Sequence, residues 1–431
     1  YDCRVLWLYS HTGNFMNFQG LLGGIGQALS NPKFRLLWWT NTVNSTGRWQ
    51  YKFAVSWYTW ETTKSPALLG IVAFADTVPL VFMTVIAGAW TDRYSTMLIM
   101  RMCQSIMVAA GILISVFALT GSLNIIYIIV LSFIIGAAEA VTVPARLSVV
   151  HQLVPKDQLS SAIALGSASF NLARFIGPAL AGIIIQVMGV PMTIVIATGM
   201  FLLFYIGLLA LGPGEKVQNE GSPRSNILKD LVGGFSYVLS HAGITFLVFV
   251  LSLTALLIRP FIDLLAGVSD QVFGEDVAGF SILLSATALG ALLGGLWLAR
   301  RGRTEGLTSL FTWCLIVSAA AQALLVLSPT IWIGAVMAFF TGIFVVSGSI
   351  ASQALIQNSV APEVRGRVIS ITAVLAWGVP AVGALAMGWI AEFIGLRMTL
   401  GSAAVLSALL WLWARGAGRR YAGQLESGGS V

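Results

Sequence analysis

Residues 88–101 read GAWTDRYSTMLIMR and form a short charged turn between two long apolar segments. The preceding segment, 66–87, and the following one, 97–120, are each long enough to cross a bilayer, because about 20 apolar residues span its hydrocarbon core. Asp92 and Arg93 lie within the turn. This pattern predicts two membrane-spanning helices that are joined by a tight loop on one side of the membrane.

Composition extends this prediction to the whole chain. Of its 431 residues, 57% are hydrophobic and only 10% are charged, and the mean hydropathy is +0.87. Soluble proteins carry about 25% charged residues, so the chain belongs with integral membrane proteins. Transmembrane strands would alternate in polarity over about 10 residues, whereas the apolar runs here are unbroken. We therefore expect an all-α membrane protein with about 12 transmembrane helices.

The cationic residues indicate how the chain is oriented in the membrane. The formal net charge is +7, but the cations are spread over loops and form no basic domain that would bind nucleic acid. Cations mark cytoplasmic loops. They fall in alternate loops, at Arg93, Arg146, Lys156, Lys216, Arg224, Lys229, Arg300, Arg301, Arg303, Arg365, Arg367, Arg415, Arg419 and Arg420. We expect a bacterial inner membrane protein with both termini in the cytoplasm and no signal peptide in residues 1–19.

The chain contains an internal repeat. Gly88, Arg93 and Pro155 recur at one constant spacing as Gly295, Arg300 and Pro362. Duplication of six-helix halves is common in secondary transporters, whose substrate cavity lies between the halves. We predict a cytoplasmic segment 1–33, a six-helix bundle 34–212, a cytoplasmic linker 213–240, a second six-helix bundle 241–415 and a cytoplasmic tail 416–431. Residues 226–240 of the linker are expected to form an amphipathic helix on the membrane surface.

The predicted spans follow the apolar runs between polar or Gly/Pro-containing breaks. In the first half they are 34–60, 66–90, 97–120, 124–146, 159–188 and 191–212. In the second half they are 242–268, 277–299, 307–327, 330–357, 364–392 and 396–414. Cys3, Cys103 and Cys314 are far apart in the sequence, so we expect no disulfide framework, metal site or other cofactor.

The turn at 88–101 resembles the loop between helices 2 and 3 of the major facilitator superfamily, whose pattern is roughly G-x-x-x-D-R-x-G-R-R. Ser95 and Thr96 stand where that pattern has glycine and arginine. The resemblance covers about residues 30–415 and implies two pseudo-symmetric six-helix bundles around a central cavity. Residues 154–159, 170–182 and 258–263 resemble the branch that holds the enterobactin exporter and macrolide efflux proteins.

The resemblance also implies a gate. In the superfamily, the acid of this loop contacts the fourth and eleventh helices when the cytoplasmic side is closed. Gly88, Asp92 and Arg93 are therefore gating candidates, and Arg146 and the region of Arg365 are the implied partners of Asp92. Ala299 stands at the equivalent of Asp92 in the second half, so this latch is one-sided. Residues 177–182 (GPALAG) resemble the end of a helix-5 antiporter motif, which implies export.

A polar stripe runs along the first predicted span. Its members, Asn41, Asn44, Ser45, Arg48 and Lys52, share one face of a helix. That face cannot point into lipid, because a charge near the bilayer centre costs at least about 2.5–3.5 kcal/mol. The stripe either lines a polar cavity, where Arg48 would attract an anion or act as a gate, or packs against other helices through hydrogen bonds. Lys52 has the further option of extending toward the membrane surface.

Two acids, Asp76 and Glu139, lie inside predicted spans. A carboxyl group in a medium of low dielectric constant holds its proton more readily than in water, as a proton carrier must. Both residues are proton-coupling candidates. Asp76 is preferred because Pro79 frees a backbone carbonyl nearby and admits water. The alternative is a structural acid that is permanently paired with Arg48 or Arg174.

Further charges lie within the fifth and seventh spans. Asn171 and Arg174 share a helix face, and Arg259 and Asp263 are four residues apart, so we predict that this pair forms an ion pair around Pro260. Embedded Arg and Asp residues bind substrate or protons in the superfamily, which makes a cavity role the alternative. The candidate cavity residues are Asn41, Asn44, Arg48, Glu139, Asn171, Arg174, Arg259 and Asp263.

The sequence thus predicts a secondary active transporter that exports an amphiphilic small organic molecule by proton antiport and alternating access. A siderophore-like substrate is preferred and a hydrophobic drug is the second choice. No Walker-type loop points to ATP, and no nucleophile–base constellation points to an enzyme. The expected partners are the substrate, protons and the lipid bilayer, and we expect a monomer. A lysophospholipid transporter or flippase, and a non-transporting sensor with the same fold, remain alternatives.

Overall fold

A computed structural model describes residues 24–91, 94–213, 227–361 and 364–426, and nearly all of these are helical. The first half contains α1 (Gly24–Ser30), α2 (Pro32–Thr63), α3 (Pro66–Thr91), α4 (Thr96–Leu119), α5 (Ile125–Leu153) and α6 (Leu159–Ala210). The second half contains α7 (Ile227–Ser240), α8 (Ala242–Leu257), α9 (Phe261–Phe273), α10 (Val277–Arg301), α11 (Leu307–Leu327), α12 (Ile331–Ser359), α13 (Arg365–Ile394) and α14 (Leu396–Glu426). The predicted all-α membrane fold is confirmed.

The described helices account for the predicted number of crossings. Ten helical segments in these ranges are long and apolar enough to span a membrane. One of them, α6, has 52 residues and would be about 78 Å long if straight, more than twice the hydrocarbon thickness. It breaks at Gly189, whose φ of 81° ends the first arm two residues before Pro191. Counting α6 as two crossings and adding α2, whose polar stripe lowers its hydropathy, gives twelve.

The start of α2 is fixed by a side-chain cap. The Asn31 carbonyl oxygen Oδ1 accepts the backbone N–H groups of Lys33 at 3.0 Å and Phe34 at 3.2 Å. Pro32 occupies the first turn, where no N–H donor is needed. The Asn31 amide also donates to the Leu153 carbonyl at 2.7 Å. One residue therefore starts α2 and joins it to the end of α5.

The two halves meet mainly at one end of the bundle. We call the side of the membrane where α2 begins the entry side, and the opposite side the far side. On the far side, α3 of the first half and α13 of the second half touch through small residues. A Cβ atom on Gly70 would overlap the Ala384 carbonyl, and one on Gly388 would overlap the Pro66 carbonyl. Glycine at these positions lets two helix backbones approach closely.

Side chains reinforce the far-side contact. The Phe53 and Phe280 rings stack at 4.2 Å between centroids. The Asp270 carboxylate accepts from Trp60 Nε1 at 2.8 Å and from Lys64 Nζ at 2.7 Å. The Glu392 carboxylate, at the end of α13, likewise accepts hydrogen bonds from the turn between α2 and α3. The halves are thus fastened on the far side by rings within the membrane and by two acids at the surface.

Helix α7 forms where the linker helix was predicted. Val238 is buried and Gly234 lies against Arg367 and Ile371 of α13, whereas Phe235 is exposed. The helix therefore packs along one face and leaves apolar side chains on the other.

The last helix extends further than predicted. Helix α14 continues to Glu426, past the expected end of the span at 414. The Glu426 carboxylate accepts from the backbone N–H groups of Gly306 at 2.6 Å and Thr308 at 2.9 Å, at the start of α11. Leu425 is buried beside it. These contacts hold the extension against the second half, so the predicted tail is helical up to Glu426.

Candidate functional site

A cavity of about 480 Å³ is walled almost entirely by α2, α3, α5 and α6 of the first half, on the side that faces the second half. Its charged lining residues are Arg48, Lys52, Asp76, Glu139 and Arg146. Its other polar lining residues are Asn41, Ser45, Thr77, Ser167 and Asn171. The second half contributes Trp377 of α13 to the wall. The cavity therefore combines an aromatic and aliphatic surface with charged groups, which suits an amphiphilic ligand.

The cavity lies between the middle of the membrane and the entry side. Along α2 its wall runs from Phe34, near the start of the helix, to Lys52, past its middle. Along α6 it runs from Ala162 to Asn171, the part of the helix nearest the entry side. The contacts of Phe53, Trp60 and the α2–α3 turn described above lie beyond its deep end. The space between the halves is therefore closed on the far side.

Asp76 is paired with Arg48. The Arg48 Nη2 group donates to Asp76 Oδ1 at 2.5 Å, and only 15% and 10% of the two side chains are exposed. Arg48 Nη1 is buried and has no hydrogen-bond partner among the described residues. This geometry corresponds to the paired-acid alternative for Asp76. Arg48 nevertheless retains an unused donor at the cavity wall.

Glu139 is the acid that lacks such a partner. Its Oε2 atom is buried and accepts no hydrogen bond from any described residue. Gly136, one turn earlier, brings α5 against the Asp76 backbone, because a Cβ atom there would overlap the Asp76 carbonyl. Glu139 and Asp76 thus line one cavity from adjacent helices. Burial of a carboxyl oxygen without a hydrogen bond carries a free-energy cost, and in this respect Glu139 differs from Asp76, whose carboxylate is paired.

The polar stripe of α2 divides between two environments. Asn41 lines the cavity and its Oδ1 accepts from Arg146 Nη1 at 2.7 Å. Arg48 and Lys52 line the cavity as well. Asn44 instead is buried, and its Oδ1 accepts from Gln104 Nε2 of α4 at 2.9 Å. The cavity alternative therefore describes most of the stripe, and the packing alternative describes Asn44.

The predicted ion pair between Arg259 and Asp263 does not form. Asp263 is paired instead with Lys52 of the other half, at 3.0 Å. Arg259 Nη1 donates to the Ala376 carbonyl at 2.7 Å. The reason is that α8 ends at Leu257 and α9 begins at Phe261, so the helical register that would align residues four apart is interrupted. Lys52 therefore points inward and does not extend toward the membrane surface.

Arg174, Arg259 and Asp263, which were predicted as cavity residues, are not among the residues that line it, but the two arginines lie over tryptophan rings of its wall. The Arg174 guanidinium is 5.5 Å from the centroid of the Trp49 ring, and that of Arg259 is 5.8 Å from the centroid of the Trp377 ring. Such a contact contributes roughly 0.5–2 kcal/mol. This is less than the insertion cost of about 2.5–3.5 kcal/mol for each charge. The tryptophan contacts alone do not account for these two cations.

Sequence reasoning missed Trp49 and Trp377 as cavity residues. Each lies near the middle of its helix, in α2 and α13. Tryptophan in membrane helices is usually concentrated at the two interfaces. Their mid-helix position was the signal that could have identified them.

Parts of the predicted gate lie outside the described residues. These are Asp92, Arg93 and the surroundings of Gly88. Arg146 donates to Asn41 at the cavity wall, as noted above. Arg365 Nη2 donates to the Val360 carbonyl at 3.4 Å, at the entry-side end of α13. The gating role of these residues stays a prediction.

Comparisons with known proteins agree with this architecture. The family described as transmembrane secretion effector matches residues 26–416. The staphyloferrin A transporter of Staphylococcus aureus is 26% identical over 361 residues, which cover 82% of this chain and 88% of that protein. Macrolide efflux protein A of Streptococcus pyogenes is 23% identical over 371 residues, covering 85% of this chain and 91% of that protein.

Solved structures show the same fold at low sequence identity. A bacterial homologue of the human lysosomal transporter Spinster, in an inward-facing and occupied conformation, superposes with a TM-score of 0.72. The two chains are 14% identical, and the match covers 91% of this chain and 97% of that one. A POT family transporter in complex with a thioalcohol-conjugated peptide superposes with a TM-score of 0.72 at 11% identity, and the match covers 91% of this chain and 96% of that one.

Proposed function

This chain belongs to the transmembrane secretion effector family of the major facilitator superfamily and is a multi-pass membrane transporter, and from that premise we propose that it exports an amphiphilic small organic molecule by proton antiport. The bundles 34–212 and 241–415 rock about the cavity so that it opens to each side in turn. The names of the relatives support a siderophore-like substrate or a hydrophobic drug.

The proposal rests chiefly on Glu139. A proton carrier must take up and release a proton during each cycle, and an acid that is not held by a cation can do so. Glu139 Oε2 has no partner among the described residues and belongs to a residue of the cavity wall, where a substrate would reach it. The ionised carboxylate accepts a hydrogen bond from a substrate hydroxyl or amide. A proton on the same oxygen turns it into a donor and makes it a much weaker acceptor, so proton and substrate compete for Glu139, as antiport requires.

Asp76 and Arg48 have a supporting role in this proposal. Their ion pair keeps one charge of each sign in the wall beside Glu139. Arg48 forms no ion pair with Glu139 but attracts the negative charge that Glu139 carries when it is ionised, because opposite charges attract more strongly in a medium of low dielectric constant than in water. Loss of Asp76 would leave Arg48 free to hold Glu139 permanently, which would stop proton exchange.

The direction of transport follows from the orientation that we propose. The entry side carries Arg300, Arg301 and Arg303 at the end of α10, and cations mark the cytoplasmic face. The cavity would then be loaded from the cytoplasm of a bacterial cell and emptied on the far side. Both termini would lie in the cytoplasm.

Transport into proteoliposomes with an imposed pH gradient tests this function. We expect the wild-type protein to move staphyloferrin A or a macrolide against its concentration gradient only while the pH gradient lasts. Glu139→Gln should reduce this accumulation at least about tenfold, within the range of coupling free energies of 1–3 kcal/mol, and Asp76→Asn should reduce it as well. Glu61→Gln is the matched control, because Glu61 is exposed at the far end of α2.

Two results would contradict the proposal. Movement that ignores the pH gradient would rule out proton coupling through these acids. Binding of a solute without any transport would favour the alternative that the protein is a non-transporting sensor.

A further inference from the structure

Arg174 and Arg259 present unneutralised positive charge behind two tryptophans of the cavity wall, Trp49 and Trp377. They come from opposite halves, Arg174 from the first arm of α6 and Arg259 from the break between α8 and α9. Neither forms an ion pair with a carboxylate in the described part of the chain. Both side chains are partly exposed, so close packing does not seal them off. Trp49 and Trp377, whose rings they contact, line the cavity, so a ligand in the cavity comes next to both arginines.

The charge balance around them is positive. Lys52 and Asp263 form an ion pair across the same interface and largely neutralise one another. The charges of Arg174 and Arg259 repel each other, while Asp263 attracts both. The group as a whole has three cations and one acid. An anion placed between the two arginines would remove their repulsion and supply the missing countercharge.

Aromatic rings flank the same position. Trp49 lies under Arg174 and Trp377 lies under Arg259, and both rings belong to the cavity wall. Phe170 of α6 packs edge to face against Trp49, with 6.2 Å between centroids, and also lines the cavity. Aromatic faces fix the apolar part of a ligand while arginine fixes its acid group. The combination suits an organic acid with an aromatic or apolar body.

We propose that Arg174 and Arg259 bind a carboxylate of the transported substrate, one arginine from each half. The planar guanidinium group matches a carboxylate in geometry and can donate two parallel hydrogen bonds to it. Because the two donors belong to different halves, the bound carboxylate ties the halves together at mid-membrane. This inference rests on the proposed transport function and specifies its substrate as an amphiphilic organic acid.

Equilibrium binding of a matched pair of probes tests the site. Full-length protein in phosphatidylcholine nanodiscs is titrated with 1-pyrenebutyrate, a carboxylate, and with 1-pyrenebutanol, its uncharged analogue. Binding is followed by energy transfer from tryptophan to pyrene. We expect the wild-type protein to bind the carboxylate at least about tenfold more tightly than the alcohol, a difference of 1.4 kcal/mol. Equal affinities for the two probes, or tighter binding of the alcohol, would overturn the proposal without any variant.

Variants then assign the preference to the two arginines. Arg174→Gln and Arg259→Gln should each weaken carboxylate binding about tenfold and leave alcohol binding within about twofold. Arg415→Gln is the matched control, because Arg415 lies over the Trp411 ring at 5.4 Å but on α14, away from the cavity wall. It should change neither affinity. Equal loss of both probes in the Gln variants would show a structural role and contradict the proposal.

Failure of this inference can be told apart from failure of the proposed function. Selective carboxylate binding that depends on the two arginines, without transport driven by a pH gradient, would refute proton antiport and leave the carboxylate site standing. Transport driven by a pH gradient with no preference for the carboxylate probe would refute the carboxylate site and leave proton antiport standing.

Discussion

The two ends of the interface between the halves differ in the kind of contact that they make. On the far side, the Gly70 and Gly388 contacts join helix backbones, and Asp270 and Glu392 hold the turn between α2 and α3. On the entry side, the same two halves are separated by a cavity whose wall contains Arg48, Asp76 and Glu139. The far end is therefore a packed contact, and the entry end is a polar space.

The proposed alternation requires the far-side contact to open. Partly exposed ion pairs such as Lys64–Asp270 contribute about 0–1 kcal/mol, so the acids of the far side can release the turn at small cost. A stacked ring pair such as Phe53–Phe280 adds only about 0.5–1.5 kcal/mol beyond its buried area. The ion pair and the ring stack thus each contribute only a small part of the free energy that holds the far side closed. We infer that the free energy of substrate binding in the cavity can offset these contributions.

The largest effect is expected from filling the far-side helix contact. In Gly70→Leu the new side chain would collide with the Ala384 backbone, which cannot move aside without shifting α13. We expect transport in proteoliposomes to fall at least about 100-fold, with overpacking costing about 1–3 kcal/mol of stability. Gly199→Leu is the control, because nothing lies within 4 Å of a Cβ atom there. Normal transport by Gly70→Leu would show that this contact need not close.

An intermediate effect is expected at the entry-side latch. Asp92→Ala should slow transport about tenfold, a coupling loss of about 1.4 kcal/mol, while ligand affinity stays within about twofold. The physical reason is that the sequence predicts Asp92 in a loop at the membrane surface, away from a substrate bound at mid-membrane. Asp157→Ala, an exposed acid in another entry-side loop, is the control. A large loss of affinity in the Asp92 variant would contradict the latch.

A smaller effect is expected from weakening the far-side acid. Asp270→Asn removes the ion pair with Lys64 and weakens the bond from Trp60. Because the pair is partly exposed, the shift toward the far-side-open state should be about 1 kcal/mol or less. The apparent affinity for substrate added from the entry side should fall by less than about fivefold, since fewer molecules are competent to bind. Glu275→Gln, at an exposed acid in the loop that follows α9, should change nothing. A fall of more than tenfold in the Asp270 variant would exceed what the Asp270 contacts can supply.

The smallest functional effect is expected at the start of α2. Asn31→Ala removes the cap and should cost about 1 kcal/mol of stability, measured by thermal unfolding in detergent, while transport is kept. Asn31→Ser keeps a cap acceptor and loses only the link to Leu153, so it should cost less. If both variants were equally unstable, the link to α5 would matter more than the cap.

The spans were predictable because hydrophobic length determines them. Each predicted span corresponds to a helix or to an arm of one, except 242–268, which covers α8 and part of α9, and the Gly189 break fell where a gap was expected between 188 and 191. Helix α14 was predicted too short, because hydropathy falls after residue 414 although the helix continues. Its extension is stabilised by contacts of Leu425 and Glu426 with the second half. Hydropathy detects insertion into the membrane and does not detect such packing.

The site was predictable residue by residue but not as pairs. The sequence indicated that Lys52, Asp76, Arg259 and Asp263 lie within membrane helices, and periodicity put Arg48 on the polar face. It could not show that Asp263 pairs with Lys52 from the other half, because that distance depends on how the halves pack. Nor could it separate Asn44, which bonds to Gln104, from its neighbours on the same stripe. Local spacing predicts partners only within an unbroken helix.

Alternation between the two ends can be measured directly as a pair of distances. Spin labels at Thr62 and Phe393 report on the far side, and labels at Gln152 and Ser370 report on the entry side; all four residues are exposed. Both pairs are placed in a chain without its own cysteines and measured by double electron–electron resonance at high and low pH. We expect the two distances to change in opposite directions between high and low pH, so that the far-side distance is longer where the entry-side distance is shorter. Distances that change together, or do not change, would contradict alternating access.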